Sequence, residues 1–205
     1  MRHLPYCAVI ALTSLSSGVA AAEDTLKGTY SFVGSQVCLS SPAGFKRDTN
    51  GNFTIPVGET NVSQTTSEGE IVYNGDGTGK VTQTFVTTVP PPNPYGAAIS
   101  AGTVSYSFTY AHESDRSYRM TLKPDSFQGR LDAGPNAGQQ FSIDVGSRVL
   151  RVSDDRRQIT FGIAKPYVEK ITFSGSPEFP VPRICSSIGT QVLADKSIST
   201  VGQGR

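Results

Sequence analysis

From Gly28 onward the apolar residues fall two apart, not three or four. That is the spacing of strands that bury one face. Tyr30 and Phe32 open the series, followed by Ile71 and Tyr73, then Val81, Phe85 and Val89. Val104, Tyr106, Phe108 and Tyr110 alternate with Ser and Thr without a break, and Tyr118, Met120 and Leu122 alternate with Arg119, Thr121 and Lys123. Phe127 and Leu131, then Phe141, Ile143 and Val145, Leu150 and Val152, Ile159, Phe161 and Ile163, and Ile171 and Phe173 continue it, with a last strand expected over 190–194. No segment after residue 25 has the period of an amphipathic helix.

Turn chemistry separates these runs. Asn74-Gly75-Asp76-Gly77-Thr78-Gly79 is the strongest case, since Gly and Asn supply the positive φ of a tight hairpin. Ser114–Ser117, Lys123–Asp125, Ala133–Gly138 and Ser153–Arg156 do the same work. Short connections favour sequential antiparallel pairing. The pattern therefore predicts an all-β antiparallel meander of about nine or ten strands that closes into a small β-barrel, with a two-sheet sandwich as the alternative. Residues 41–61 and 90–102 read as loops, the second because its prolines cannot donate to a ladder.

The first residues change the picture. Arg2 and His3, the apolar run Cys7–Leu15 and Ala20-Ala21-Ala22 before Glu23 form the layout of a signal peptide over 1–22. The run is too short to span a bilayer. The expected organisation is a signal peptide at 1–22, one all-β domain at 23–195 and a flexible tail at 196–205, in a secreted or periplasmic protein. Cys7 leaves with the leader, so Cys38 and Cys185 are expected to pair in an oxidising compartment. If the first and last strands of a barrel pair, these two residues come together.

Charge narrows the partners. Loss of Arg2 from the 18 Lys+Arg leaves as many cations as the 17 Asp+Glu. Neutrality argues against nucleic acid, which calls for a basic surface. Arg148, Arg151, Arg156 and Arg157 are diluted by Asp154 and Asp155 and read as a solvated hairpin tip. Charged residues opposite the apolar faces, such as Arg119, Lys123 and Arg130, argue against a membrane span in the mature chain.

The opening Lys27-Gly28-Thr29-Tyr30-Ser31-Phe32, the Asn-Gly-Asp-Gly-Thr-Gly hairpin and the meander resemble the calycin-type barrels, the lipocalin- and avidin-like proteins. The segment is also similar to secreted bacterial proteins that open with Gly-x-Tyr-x-Phe. The resemblance implies a ligand-binding barrel. The calycin Gly-x-Trp becomes Gly-x-Tyr at Tyr30, and the chain has no Trp, so an avidin-type biotin site is not expected. Some periplasmic protease inhibitors share a barrel with a single disulfide, a likeness of fold alone.

Three polar residues interrupt the apolar faces: Gln83, His112 and Glu169. Pointed into a barrel, they would join Tyr30, Phe85, Tyr106, Phe108 and Tyr110 as candidate ligand contacts. The bland alternatives are a hydrogen-bonded Gln83, a rim His112, and a Glu169 paired with Lys165 or Lys170. No serine elbow, zinc set or calcium loop is present in the sequence, and no metal or cofactor is expected. The leading expectation is a binding protein for a small apolar or aromatic molecule in a chamber of several hundred Å³. The alternatives are a protein-interaction or inhibitor module acting through loops 41–61 or 90–102, with Tyr95 as a contact, and a cofactor-free isomerase or cyclase using Glu169 or His112.

Overall fold

A computed structural model describes residues 25–54, 60–91, 97–144, 146–163 and 165–194. The expected signal peptide, the expected tail, Tyr95 and parts of both predicted loops lie outside these residues. The described chain is strand throughout, with turns and no helix, so none crosses a membrane as a long apolar helix. The strands are β1 (Lys27–Ser40), β2 (Lys46–Arg47), β3 (Phe53–Thr54), β4 (Asn61–Asn74), β5 (Thr78–Val89), β6 (Ala98–Ser114) and β7 (Ser117–Leu122). They continue as β8 (Gln128–Ala133), β9 (Gln140–Ile143), β10 (Ser147–Val152), β11 (Gln158–Gly162), β12 (Val168–Phe173) and β13 (Val181–Leu193).

The pairings close on themselves. β1 pairs with β4, β4 with β5 and β5 with β6, and β13 returns antiparallel to β1. Between β6 and β13 the wall is split at mid-height. Toward the base it is completed by β7, β10 and β11; toward the rim it is completed by β8, β9 and β12. Each tier is thus a ring of eight strands, and three wall strands of the meander are broken at one level. The breaks fall between β7 and β8, β9 and β10, and β11 and β12. Lys123-Pro124-Asp125 explains the first, because proline withdraws a donor from the ladder. There the chain loops out and is pinned by Ser126 Oγ, which donates to Ser107 O at 3.0 Å. The small β2–β3 hairpin stands apart as a second sheet.

The all-β antiparallel meander predicted from the alternation is the observed architecture. Its boundaries differ from the prediction. Residues 98–102 belong to β6 and 46–54 carry the small hairpin, so both supposed loops are shorter. β4 begins ten residues before Ile71, β1 runs on past Val33, and β13 starts well ahead of Thr190. In these stretches the inward positions are Gln36, Cys38, Ser63, Thr65, Ser67, Arg183 and Ser187. Small polar side chains leave no apolar alternation to read.

The base tier is packed with aromatic rings. Tyr73 sits edge-on to Tyr30, Phe108 and Tyr110 at centroid distances of 5.5, 5.4 and 5.3 Å. Toward the rim, Phe141 meets Phe85, Phe127 and Phe173 at 5.8–5.9 Å. Buried hydroxyls find acceptors: Tyr30 Oη donates to Arg156 O at 2.8 Å and Tyr73 Oη donates to Gln191 Oε1 at 2.9 Å. Burial pushes the Tyr73 phenol well above its ordinary 10.0. The folded-state pKa exceeds the unfolded one, so this contribution to stability is whole below about pH 10 and declines as pH rises. The unfolding free energy read from urea titrations should hold from pH 8 to 10 and then fall, by up to about 1.4 kcal/mol per pH unit from Tyr73 alone. Tyr73→Phe should flatten that decline, at a cost of about 1 kcal/mol near neutral pH.

Ring closure needs close backbone approach at one point. Gly34 faces Gly189 across β1 and β13, and the Phe161 ring lies over both. A Cβ on Gly189 would stand 2.2 Å from Phe161 Cζ and 2.6 Å from Val33 O. Gly189→Ala should therefore destabilise by about 1–3 kcal/mol, read from the shift in urea midpoint.

Candidate functional site

Beneath the break in the wall, the inward positions of five wall strands converge on a cavity. Gln36 comes from β1, Gln83 from β5, Arg148 from β10, Glu169 from β12 and Arg183 from β13, with Tyr167 just before β12. The cavity holds about 80 Å³, room for roughly five waters. Tyr106, Met120 and Phe127 add apolar surface to the lining.

Alternation explains each polar position. On β10, Leu150 and Val152 are buried on the inward face, and Arg148 is the next residue of that face. On β13, Cys185 is inward, and so is Arg183 two residues before it. Glu169 is the most enclosed charge, with its side chain 6% exposed against 15% for Arg183. Arg183 Nε donates to Glu169 Oε1 at 2.7 Å. The two residues are direct cross-strand neighbours in the β12–β13 ladder. This pairing replaces the Lys165 or Lys170 partner considered from the sequence.

The Glu169 oxygen that accepts from Arg183 also lies 3.2 Å from Cys185 Sγ. That sulfur is joined to Cys38 Sγ at 2.11 Å and has no proton to donate. Cys38 and Cys185 face each other across β1 and β13, the juxtaposition expected of paired first and last strands. Glu169 and the two sulfurs cluster closely enough to suggest a metal set. Both sulfurs are committed to the disulfide, so the cluster offers an ion one carboxylate, itself already salt-bridged.

The remaining groups pin the break. Ser147 N donates to Tyr167 Oη at 3.2 Å, and Lys170 N donates to Asp144 Oδ1 at 2.8 Å. Burial raises the Tyr167 phenol pKa, Glu169 raises it further, and Arg148 and Arg183 oppose the shift. All three charges therefore act on one phenol. Arg148 lays its guanidinium 5.0 Å from the centroid of the Phe161 ring.

Of the residues singled out from the sequence, Gln83, Tyr106 and Glu169 are brought together on this cavity. Tyr30, Phe108 and Tyr110 belong to the packed base, and Phe85 belongs to the rim-side aromatic cluster. His112 lies elsewhere, exposed near the end of β6 against the Tyr118 ring, with Nε2 2.6 Å from Asp115 O. The fold does not set His112 beside Glu169, so the two do not form an acid–base pair. Arg148, Arg183, Gln36 and Tyr167 were not among the residues singled out. The signal for the two arginines was available in the phase of Leu150 and Val152 and of Cys185.

Two larger depressions, about 660 and 820 Å³, are open to solvent. Thr82, Thr103, Gln128 and Arg130 border the first, where Arg130 is engaged by Asp132 at 2.7 Å. Val33, Glu68, Val86 and Ile188 border the second. Neither gathers charges as the inner cavity does. The chain matches no protein-family model and no curated protein sequence.

Proposed function

We propose that this chain is an exported binding protein for a small molecule, calycin-like in architecture, with its ligand held in the mid-height cavity. One observation carries the reading: five wall strands each turn a polar side chain, Glu169 buried and the other four partly buried, into one partly open cavity. Buried polar groups are costly without partners, and ligand sites are one place where they are kept. Export is supported by the leader-like N-terminus and by the Cys38–Cys185 disulfide. The calycin likeness is supported by the closed eight-strand meander.

The ligand differs in kind from the apolar molecule suggested by the aromatic alternation. Those rings pack against one another, and a drug-sized apolar ligand needs about 300–1,000 Å³. A guest of about 80 Å³ among Arg, Glu and Gln is small and polar. Native mass spectrometry of the protein isolated from its own source tests the reading. The expected result is a low-mass adduct released by organic extraction and absent after Gln83→Leu. A bare protein mass, or an adduct indifferent to Gln83→Leu, would remove the cavity as the site.

A second reading, a protein-interaction module, is favoured by Ile99 and Phe179, which are 66% and 70% exposed near the rim. Ile99 lies within the 90–102 stretch named from the sequence, and Phe179 in the connection from β12 to β13. If Ile99→Ser/Phe179→Ser leaves co-purifying proteins unchanged, this reading falls.

A further inference from the structure

The charges in the cavity do not cancel. Glu169 is matched by Arg183. Arg148 lines the same cavity and pairs with no carboxylate among the described residues. A half-buried guanidinium without a counterion is an unfavourable arrangement unless an anion joins it. Stacking on Phe161 holds one face of the group and leaves its edge donors free for a planar acceptor.

We propose that the cavity binds a small monocarboxylate, with Arg148 as the cation that meets the carboxylate. This rests on the cavity being the ligand site. Three features select the class. The surplus charge is a single positive one, which suits a monoanion better than a dianion such as phosphate. The guanidinium edge matches a carboxylate through two parallel hydrogen bonds. The volume of about 80 Å³ admits only a few heavy atoms. Gln36 and Gln83, on the other lining strands, supply neutral donors and acceptors for a hydroxyl or carbonyl on the same molecule. Arg183 is a positioning residue: its Nε is held by Glu169, and it fixes the carboxylate that keeps the site at one net charge.

Calorimetric titration of the full chain, freed of organic acids by dialysis, tests the assignment at constant ionic strength. The probes are formate, acetate and lactate, with acetamide as the neutral counterpart and inorganic phosphate as the dianion. At least one carboxylate should saturate, acetamide should not, and Arg148→Met should weaken the carboxylate roughly ten- to hundredfold. Arg148→Lys, which keeps the charge and loses the planar fork, should weaken it less and guards against a misfolded methionine variant. If acetamide binds as well as acetate and Gln83→Leu weakens both, the anion assignment falls while the cavity site stands. Preference for phosphate overturns the monocarboxylate class. No saturable binding of any probe, or binding indifferent to Arg148 and Gln83 alike, overturns the assignment and the cavity together.

Discussion

Replacing Cys38 and Cys185 together by alanine is expected to lower the unfolding free energy by about 3–5 kcal/mol. The bond links residues separated by 147 positions, and chain-entropy scaling puts such a loop near ~5 kcal/mol. It also sits where other forces are weakest. Near the base, β1 and β13 are clamped by aromatic packing. Beside the disulfide the inward neighbours are Ser63, Ser187 and Gln36, which bury little apolar surface. Ser187 Oγ is itself buried without a hydrogen-bond partner among the described residues. The test is the guanidinium midpoint of the double variant beside that of the oxidised and reduced wild type. Reduced and double-alanine proteins should agree. A loss below about 1 kcal/mol would show that the β1–β13 ladder closes the ring without the bond.

Glu169→Leu should be nearly as damaging, at about 3–5 kcal/mol. The substitution leaves Arg183 with its side chain 15% exposed and no carboxylate against it. Most of the cost is the stranded cation, not the loss of an attraction. Glu169→Leu/Arg183→Met should therefore recover most of the stability, and a double-mutant cycle reads the difference. Additive effects would mean that Arg183 finds water or another acceptor once Glu169 is gone. Glu169→Gln should fall between, because an amide oxygen still accepts from Arg183 Nε.

The base tier was legible because its inward residues are large and apolar while its outward ones are Ser, Thr and Lys. Alternation at Tyr106, Phe108 and Tyr110 or at Ile159 and Phe161 required a strand. The rim halves of β1, β4 and β13 obey the same period with small polar side chains. Ser63, Thr65 and Ser67 point inward exactly as Ile71 and Tyr73 do on the same strand, yet nothing in their hydropathy says so. The disulfide could be placed, since only two cysteines follow residue 22. The cavity was half legible. Gln83 and Glu169 stood out as polar residues on apolar faces. Arg148 was grouped with its sequence neighbours Arg151, Arg156 and Arg157 instead of its strand-face neighbours Leu150 and Val152. Arg183 lay in a stretch not read as strand at all. Convergence of five strands on one point depends on the register of the closed ring, which no single segment encodes.

Closure of the ring by β1 and β13 also sets the order of events in folding. Local hairpins such as β4–β5 and β5–β6 can form as soon as their turns do. β1 finds its second neighbour only when residues 181–193 are available. Such non-local pairing places the chain among slow folders, on the scale of milliseconds to seconds. Until then β1 offers an unpaired edge bearing Val33 and Val37 on its outer face, a template for pairing with another chain. The chain is therefore most prone to aggregate while its last strand is still missing, and truncation ahead of Val181 should raise the insoluble fraction relative to the full chain.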